Sequence, residues 1–209
     1  FKNYATFGVG NYGTFIGELF VNHDLNNTDY VGGMFRHHSS EGGIKNVALE
    51  NRFFYTSLDL MYGSNQKDVS YNVDLGYQNQ IYNWYGLPAN FDSTLINGIN
   101  PQQTYGTISL GGNVTLNESI LNKASLKYNH FSDASGSSEN RFYAKPTVEF
   151  DVMDSAVKTN IIVDYVGGSF KNNYLNTNTT RVKYGFTNFG IVPSFVMQQD
   201  DWTLNIGAG

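Results

Sequence analysis

Alternation of apolar and polar side chains runs through long stretches of this chain, and it restricts the fold more than any other feature. Val69, Tyr71, Val73, Leu75 and Tyr77 are interleaved with Ser70, Asn72, Asp74, Gly76 and Gln78. Ile108, Leu110, Gly112, Val114 and Leu116 alternate with Thr107, Ser109, Gly111, Asn113 and Thr115, and Phe142, Ala144, Pro146, Val148, Phe150 and Val152 alternate with Tyr143, Lys145, Thr147, Glu149 and Asp151. At 3.6 residues per turn these side chains scatter around a helix, whereas a strand sends successive side chains to opposite faces and separates them cleanly. Strands are expected at 4–10, 14–24, 29–38, 48–63, 68–82, 105–117, 122–131, 141–152, 156–168, 182–199 and 202–209, about eleven in all. Several exceed the five or six residues usual in soluble sheets, and most reach the roughly 9–11 that a tilted strand needs to cross a bilayer.

Composition agrees. Only 40% of the 209 residues are hydrophobic, yet there are 15 Tyr, 15 Phe and 22 Gly against 4 Pro. A barrel with one strand face in lipid and the other in water needs such a mixture. The aromatic content argues against disorder. With no Cys, disulfides, thiol catalysis and thiolate metal sites are excluded. The net charge of −5 supplies no basic footprint for nucleic acid. No run approaches the 18 or so apolar residues of a membrane-spanning helix.

From the second strand onward the connections alternate, short near 25–28, 64–67, 118–121, 153–155 and 200–201, and long near 39–47, 83–104, 132–140 and 169–181. Short turns at one rim and long loops at the other mark an up-and-down barrel in an outer membrane. The first connection, at Asn11-Tyr12-Gly13, is short where a long one is expected. Aromatics gather near strand ends, as at Phe53, Phe54 and Tyr55 or Tyr82, Trp84 and Tyr85, where interfacial girdles belong. The expected fold is all-β, an antiparallel up-and-down transmembrane barrel forming one domain over 1–209. Because closed bacterial barrels normally have an even strand number, and the chain opens on Phe1 and stops in mid-pattern after Trp202, Leu204 and Ile206, the expectation is part of a larger barrel of about fourteen strands or more. The rival is a soluble carbohydrate-binding β-sandwich, which also has one apolar face per strand.

The run Tyr4-Ala5-Thr6-Phe7-Gly8-Val9-Gly10-Asn11-Tyr12 resembles barrel proteins of Bacteroidetes-type bacteria, often described as TonB-dependent receptors or outer-membrane proteins. Arg36-His37-His38-Ser39-Ser40-Glu41-Gly42-Gly43, Tyr82-Asn83-Trp84-Tyr85-Gly86-Leu87-Pro88, Val192-Pro193-Ser194-Phe195 and Trp202-Thr203-Leu204-Asn205-Ile206-Gly207-Ala208 extend the resemblance in patches along most of the chain. It implies residence in the outer membrane of a Gram-negative bacterium and a non-enzymatic role in transport or as a subunit of an envelope complex. Lipids and other outer-membrane or periplasmic proteins are the implied partners. Nothing in the chain reads as the plug domain of a TonB-dependent transporter.

One constellation points to catalysis instead. His130 and Ser132 fall on one strand face with Leu126 and Tyr128, and Asn140 opens the next strand in parity with Phe142. A Ser nucleophile needs a His base, and the His needs a third group to orient it. The set, with Arg141 after Asn140, resembles outer-membrane phospholipase A, which implies a lipid-facing Ser-His-Asn triad. The plainer reading is a polar rim beside the Ser-rich stretch 133–138.

His37, His38 and Glu41 have the residue types of a metal site, but neighbours on a strand point to opposite faces, so no metal set is expected. The Gly-Gly pairs at 32–33, 42–43, 111–112 and 167–168 precede no helix and form no phosphate loop, and no cofactor is expected. On the polar face lie Glu18, Asp59, Asp74, Lys127, Lys145, Glu149, Asp151, Lys158 and Asp164. They are expected to line the lumen, with Lys145 and Lys158 pairing across strands with Glu149 and Asp164.

Overall fold

A computed structural model describes residues 3–87, 91–152, 155–171, 181–199 and 201–208. The strands are β1 (Asn3–Gly10), β2 (Thr14–Asp24), β3 (Asp29–Ser40), β4 (Phe53–Asn65), β5 (Val69–Asn83), β6 (Gln102–Leu116), β7 (Leu121–Asp133), β8 (Ser138–Val152), β9 (Ser155–Lys171), β10 (Arg181–Gln199) and β11 (Trp202–Gly207). All eleven lie in one sheet in chain order, each antiparallel to its neighbours in sequence. The sheet is open, with β1 and β11 at its edges. Both edges are odd members of an up-and-down series and run the same way.

All eleven expected strands form, and the boundaries that move by three residues or more are the starts of β4, β6 and β8 and the end of β9, which runs on to Lys171. β4 starts at Phe53, because residues 41–52 close into a loop that shelters Leu49, a hydrophobic residue only 8% exposed. β6 starts earlier, at Gln102. The connection expected to be long at 132–140 is a tight turn over 134–137. The Asp133 carboxylate accepts the Ser137 N–H at 2.7 Å and Gly136 takes φ 85°, which lets Ser138–Asn140 join the ladder. The connections after β8, β9 and β10 involve residues outside those described.

The short first connection has a structural partner. Tyr12 adopts φ 61°, and its carbonyl accepts the Glu41 N–H at 3.0 Å, so the loop after β3 folds over the β1–β2 hairpin. At the opposite rim, the Asn26 side chain accepts the N–H groups of Thr28 and Asp29, each at 2.8 Å, and closes the β2–β3 turn. In the long β5–β6 loop, Asp92 caps the 3-10 turn Ser93–Gly98 by accepting the Thr94 N–H at 2.9 Å. That hydrogen bond, with a second from the Thr94 hydroxyl, holds the Asp92 carboxyl below its ordinary value. A depressed folded pKa stabilises above the unfolded value of about 3.9 and is lost as pH falls through the folded value. Amide exchange at Thr94 is therefore expected to gain an opening contribution only below about pH 4, and Asp92→Asn should remove that pH dependence.

Register places an apolar series from every strand on one common face, while Phe20, Met34, Met61, Val166 and Phe186 fall on the other. A row of paired residues runs Leu19, Phe35, Leu58, Tyr77 and Ile108 from β2 to β6, then continues as His130, Asn140, Gly167 and Gly185. The apolar belt therefore crosses the sheet obliquely. It begins at Phe15 on β2, two residues before Gly17, and at Phe189 on β10, six residues after Lys183. Gly17 and Lys183 belong to one register row through His37, Thr56, Asn79, Gly106, Ser132, Ser138 and Ser169. The belt thus slides about one residue per strand. With about 3.3 Å per residue and 4.8 Å between strands, that slide describes strands inclined by about 35° to the normal of the belt.

Among the described residues no element covers this belt. Phe7 is 71% exposed, Leu110 50%, Leu126 54% and Phe189 66%, and Leu49 in the loop is the sole buried hydrophobic side chain among the described residues. Each large side chain left in water forgoes about 1.5–3 kcal/mol of burial.

Candidate functional site

The opposite face is polar, and the nine expected charges all share it. The rows Asp74, Gly111, Lys127, Tyr143, Asp164 and Asn72, Asn113, Ser125, Lys145 place five strands' polar residues side by side. Glu149 pairs with Lys158 and Asp151 with Ala156 in the same parity, while Glu18 and Asp59 stand beside Arg36 and Met34. Gly111 gives the Asp74 carboxylate room, since a β-carbon there would meet its Oδ2. Asn72 Nδ2 donates to Asp74 at 2.6 Å, Asn113 Nδ2 to Asn72 at 3.2 Å and the Ser125 hydroxyl to Asn113 at 2.6 Å, a polar ladder over three strands.

Ion pairs link the charges, with one change of partner. Lys158 Nζ lies 3.1 Å from Glu149, as the alternation predicts. Asp164 pairs with Arg141 rather than with Lys145, through Nε at 2.9 Å and Nη2 at 2.6 Å. Arg141 and Lys145 both sit two residues from Tyr143, the partner of Asp164, and the planar guanidinium matches both carboxylate oxygens at once. Arg36 adds a looser pair to Asp59 at 3.6 Å. Arg141→Ala is expected to lower the urea midpoint of unfolding slightly, with Arg141→Lys recovering only part of the loss.

The same face carries an aromatic row that the strand-by-strand reading of charges passed over. Tyr82, Tyr105 and Phe131, from β5, β6 and β7, stack with centroids 5.7 Å apart at both steps and interplanar angles of 26° and 22°. Farther along, the Tyr184 hydroxyl donates to Glu139 Oε2 at 2.7 Å, reaching from β10 to β8 across Gly168 of β9. A β-carbon at Gly168 would meet the Tyr184 ring at 3.0 Å, so glycine makes this crossing possible. The signal was available in the sequence: Tyr105 has the parity of Thr107, and Phe131 that of Lys127.

The catalytic constellation is assembled in part, on the apolar face at the upper border of the belt. His130 pairs with Asn140 in register, and its Nδ1 lies 2.8 Å from Asn140 Oδ1. A carbonyl oxygen there makes Nδ1 the protonated nitrogen and leaves Nε2 as the acceptor. Asn140 Oδ1 also accepts the Tyr128 hydroxyl at 2.7 Å. Ser132 pairs with Ser138 and Gly106, and among the described residues no hydrogen bond joins it to His130. His37 and His38 diverge as expected. His37 Nδ1 meets Thr56 Oγ1 at 2.8 Å on the apolar face, and His38 packs edge-on against Phe53 at 4.9 Å on the polar one. Glu41 lies past the end of β3.

No protein-family model matches this chain, and no curated protein is similar enough to match it.

Proposed function

We propose that this chain builds the wall of a β-barrel spanning the outer membrane of a Gram-negative bacterium, with the apolar belt against lipid and the polar face toward an aqueous lumen. Its role is then passage of solutes, or service as the barrel subunit of an outer-membrane complex. The observation that carries this reading is the belt: continuous over eleven strands, exposed, and oblique by about one residue per strand. Spanning strands tilt by about 35–45°, so residues at one membrane depth must shift in register from strand to strand. A soluble monomer rarely exposes an apolar patch of more than a few hundred Å², and a sandwich would bury this face against a second sheet. Because β1 and β11 run the same way, antiparallel closure takes an odd number of added strands, which suits an even-stranded barrel. The resemblance to Bacteroidetes-type barrel proteins points the same way. The full-length protein, reconstituted into planar bilayers, is expected to give stepwise conductance. Insertion without conductance favours the subunit role, and failure to insert overturns the proposal.

A second reading rests on the 2.8 Å contact of His130 with Asn140. In an outer-membrane esterase, rotation of Ser132 toward Nε2 of His130 would complete a lipid-facing triad. Hydrolysis of a nitrophenyl ester in mixed micelles, lost about 10⁶-fold in Ser132→Ala, supports it. Activity absent from the wild type, or unchanged in the variant, disposes of it.

A further inference from the structure

Beside the turn at 134–137, the polar face opens into a cleft of about 440 Å³ between β6 and β10. Tyr105, Phe131, Phe170 and Tyr184 supply its aromatic walls, and the carboxylates of Asp133 and Glu139 stand among them. This volume suits a small ligand, and a few fixed polar groups among aromatic walls are the usual makeup of such sites. One oxygen of each carboxylate is engaged by a neutral donor, Asp133 by the Ser137 N–H and Glu139 by the Tyr184 hydroxyl. Both carboxylates therefore keep acceptor capacity for a ligand.

Local charge decides what kind of ligand fits. Arg181 Nη2 donates to the Gly136 carbonyl at 3.2 Å, and the Lys171 N–H donates to Ser137 Oγ at 3.1 Å. The Lys171 side chain also lies against Gly136, so two cationic side chains flank the turn beside the two carboxylates and the neighbourhood is close to neutral. An organic cation gains little there. A neutral molecule with flat C–H faces for the rings and hydroxyls for the carboxylates gains from both.

We propose that this cleft is a binding site for a neutral carbohydrate. Phe131, whose other face lies on Tyr105, stacks against a pyranose ring, and Glu139 and Asp133 accept the hydroxyls of the sugar. The stacked row from Phe131 to Tyr82 extends the site toward a second cleft of about 430 Å³ under the loop at 41–52, lined by Tyr82, Tyr55 and Arg52. The ligand is therefore an oligosaccharide rather than a single sugar. The inference rests on the proposed function in taking this face as the lumen, but its test does not need a bilayer.

Titration calorimetry of the detergent-folded full-length protein against neutral glucose, mannose, galactose and xylose pentasaccharides, with choline as the cationic probe, tests it. Binding of at least one pentasaccharide is expected, weakened at least about tenfold, or 1.4 kcal/mol, by Phe131→Leu and by Glu139→Gln. Leu keeps the apolar volume but removes the flat ring, and circular dichroism checks that both variants fold. No binding of any pentasaccharide at millimolar concentration, equal binding by both variants, or preference for choline overturns the site. Those outcomes leave bilayer insertion, measured separately, untouched.

Discussion

Val73→Arg is expected to lower stability in lipid vesicles by about 2–4 kcal/mol, the cost of placing a guanidinium near the middle of the hydrocarbon layer. Val73 lies at the centre of the β5 stretch Val69–Tyr77, and it is 46% exposed. Val69→Arg, at the end of that stretch, should cost only about 0–1 kcal/mol. Gln78→Arg, on the polar face, should fall within about 0.5 kcal/mol. The oblique belt adds a sharper comparison. His23 is connected to Val73 in register through Val31 and Tyr62, yet on β2 this level already lies outside the belt. His23→Arg should therefore be tolerated within about 0.5 kcal/mol. Urea titrations of folding in vesicles measure all four, and equal costs at Val73 and His23 would mean that depth does not follow the tilt.

Gly168→Val is expected to be the next most damaging change, at about 1–3 kcal/mol, the usual range for forcing atoms into a filled site. Its β-carbon would collide with the Ser138 carbonyl oxygen and crowd the Tyr184 ring. The strand must shift or Tyr184 must let go of Glu139, so the same variant should release the Tyr184 hydroxyl, visible as a shift of its ring resonances. Gly190→Ala is the control, because its β-carbon would find Ile162 Cβ at an ordinary 3.6 Å. It should change stability by no more than about 0.5 kcal/mol.

The strands were legible because the environment on each face imposes a period of two, and where the connection is short, as between β2 and β3 or β4 and β5, the pairing of neighbours follows from it. The misplaced boundaries have local causes. Val47 and Leu49 alternate ahead of β4, but in the parity of Asp59 and not of Leu58, and Leu49 is buried within the loop and not in the ladder. The Ser-rich run 135–138 has loop composition, and only the Asp133 cap shows that it is a four-residue turn. Parity assigned the nine charges to a face correctly, whereas the partner of Asp164 depended on reach and on the shape of the guanidinium. The aromatic row was hidden for a related reason. Tyr82, Tyr105 and Phe131 are 23 and 26 positions apart in sequence, and they meet only because three strands stand at a particular diagonal offset. The same holds for His130 and Asn140, which parity placed on one face and register brought into contact.

The most direct test of the account is a cysteine scan of β6. The chain has no native Cys, so single substitutions from Thr107 to Leu116, each carrying a nitroxide label, report one position at a time in vesicles. Collision with oxygen dissolved in lipid should dominate at Ile108, Leu110, Gly112, Val114 and Leu116. Collision with a water-soluble nickel reagent should dominate at Thr107, Ser109, Gly111, Asn113 and Thr115. Alternation of the two signals with a period of two is the predicted result. Water access at both sets, or protection of the apolar set from both reagents as in a protein core, would contradict the membrane-spanning wall.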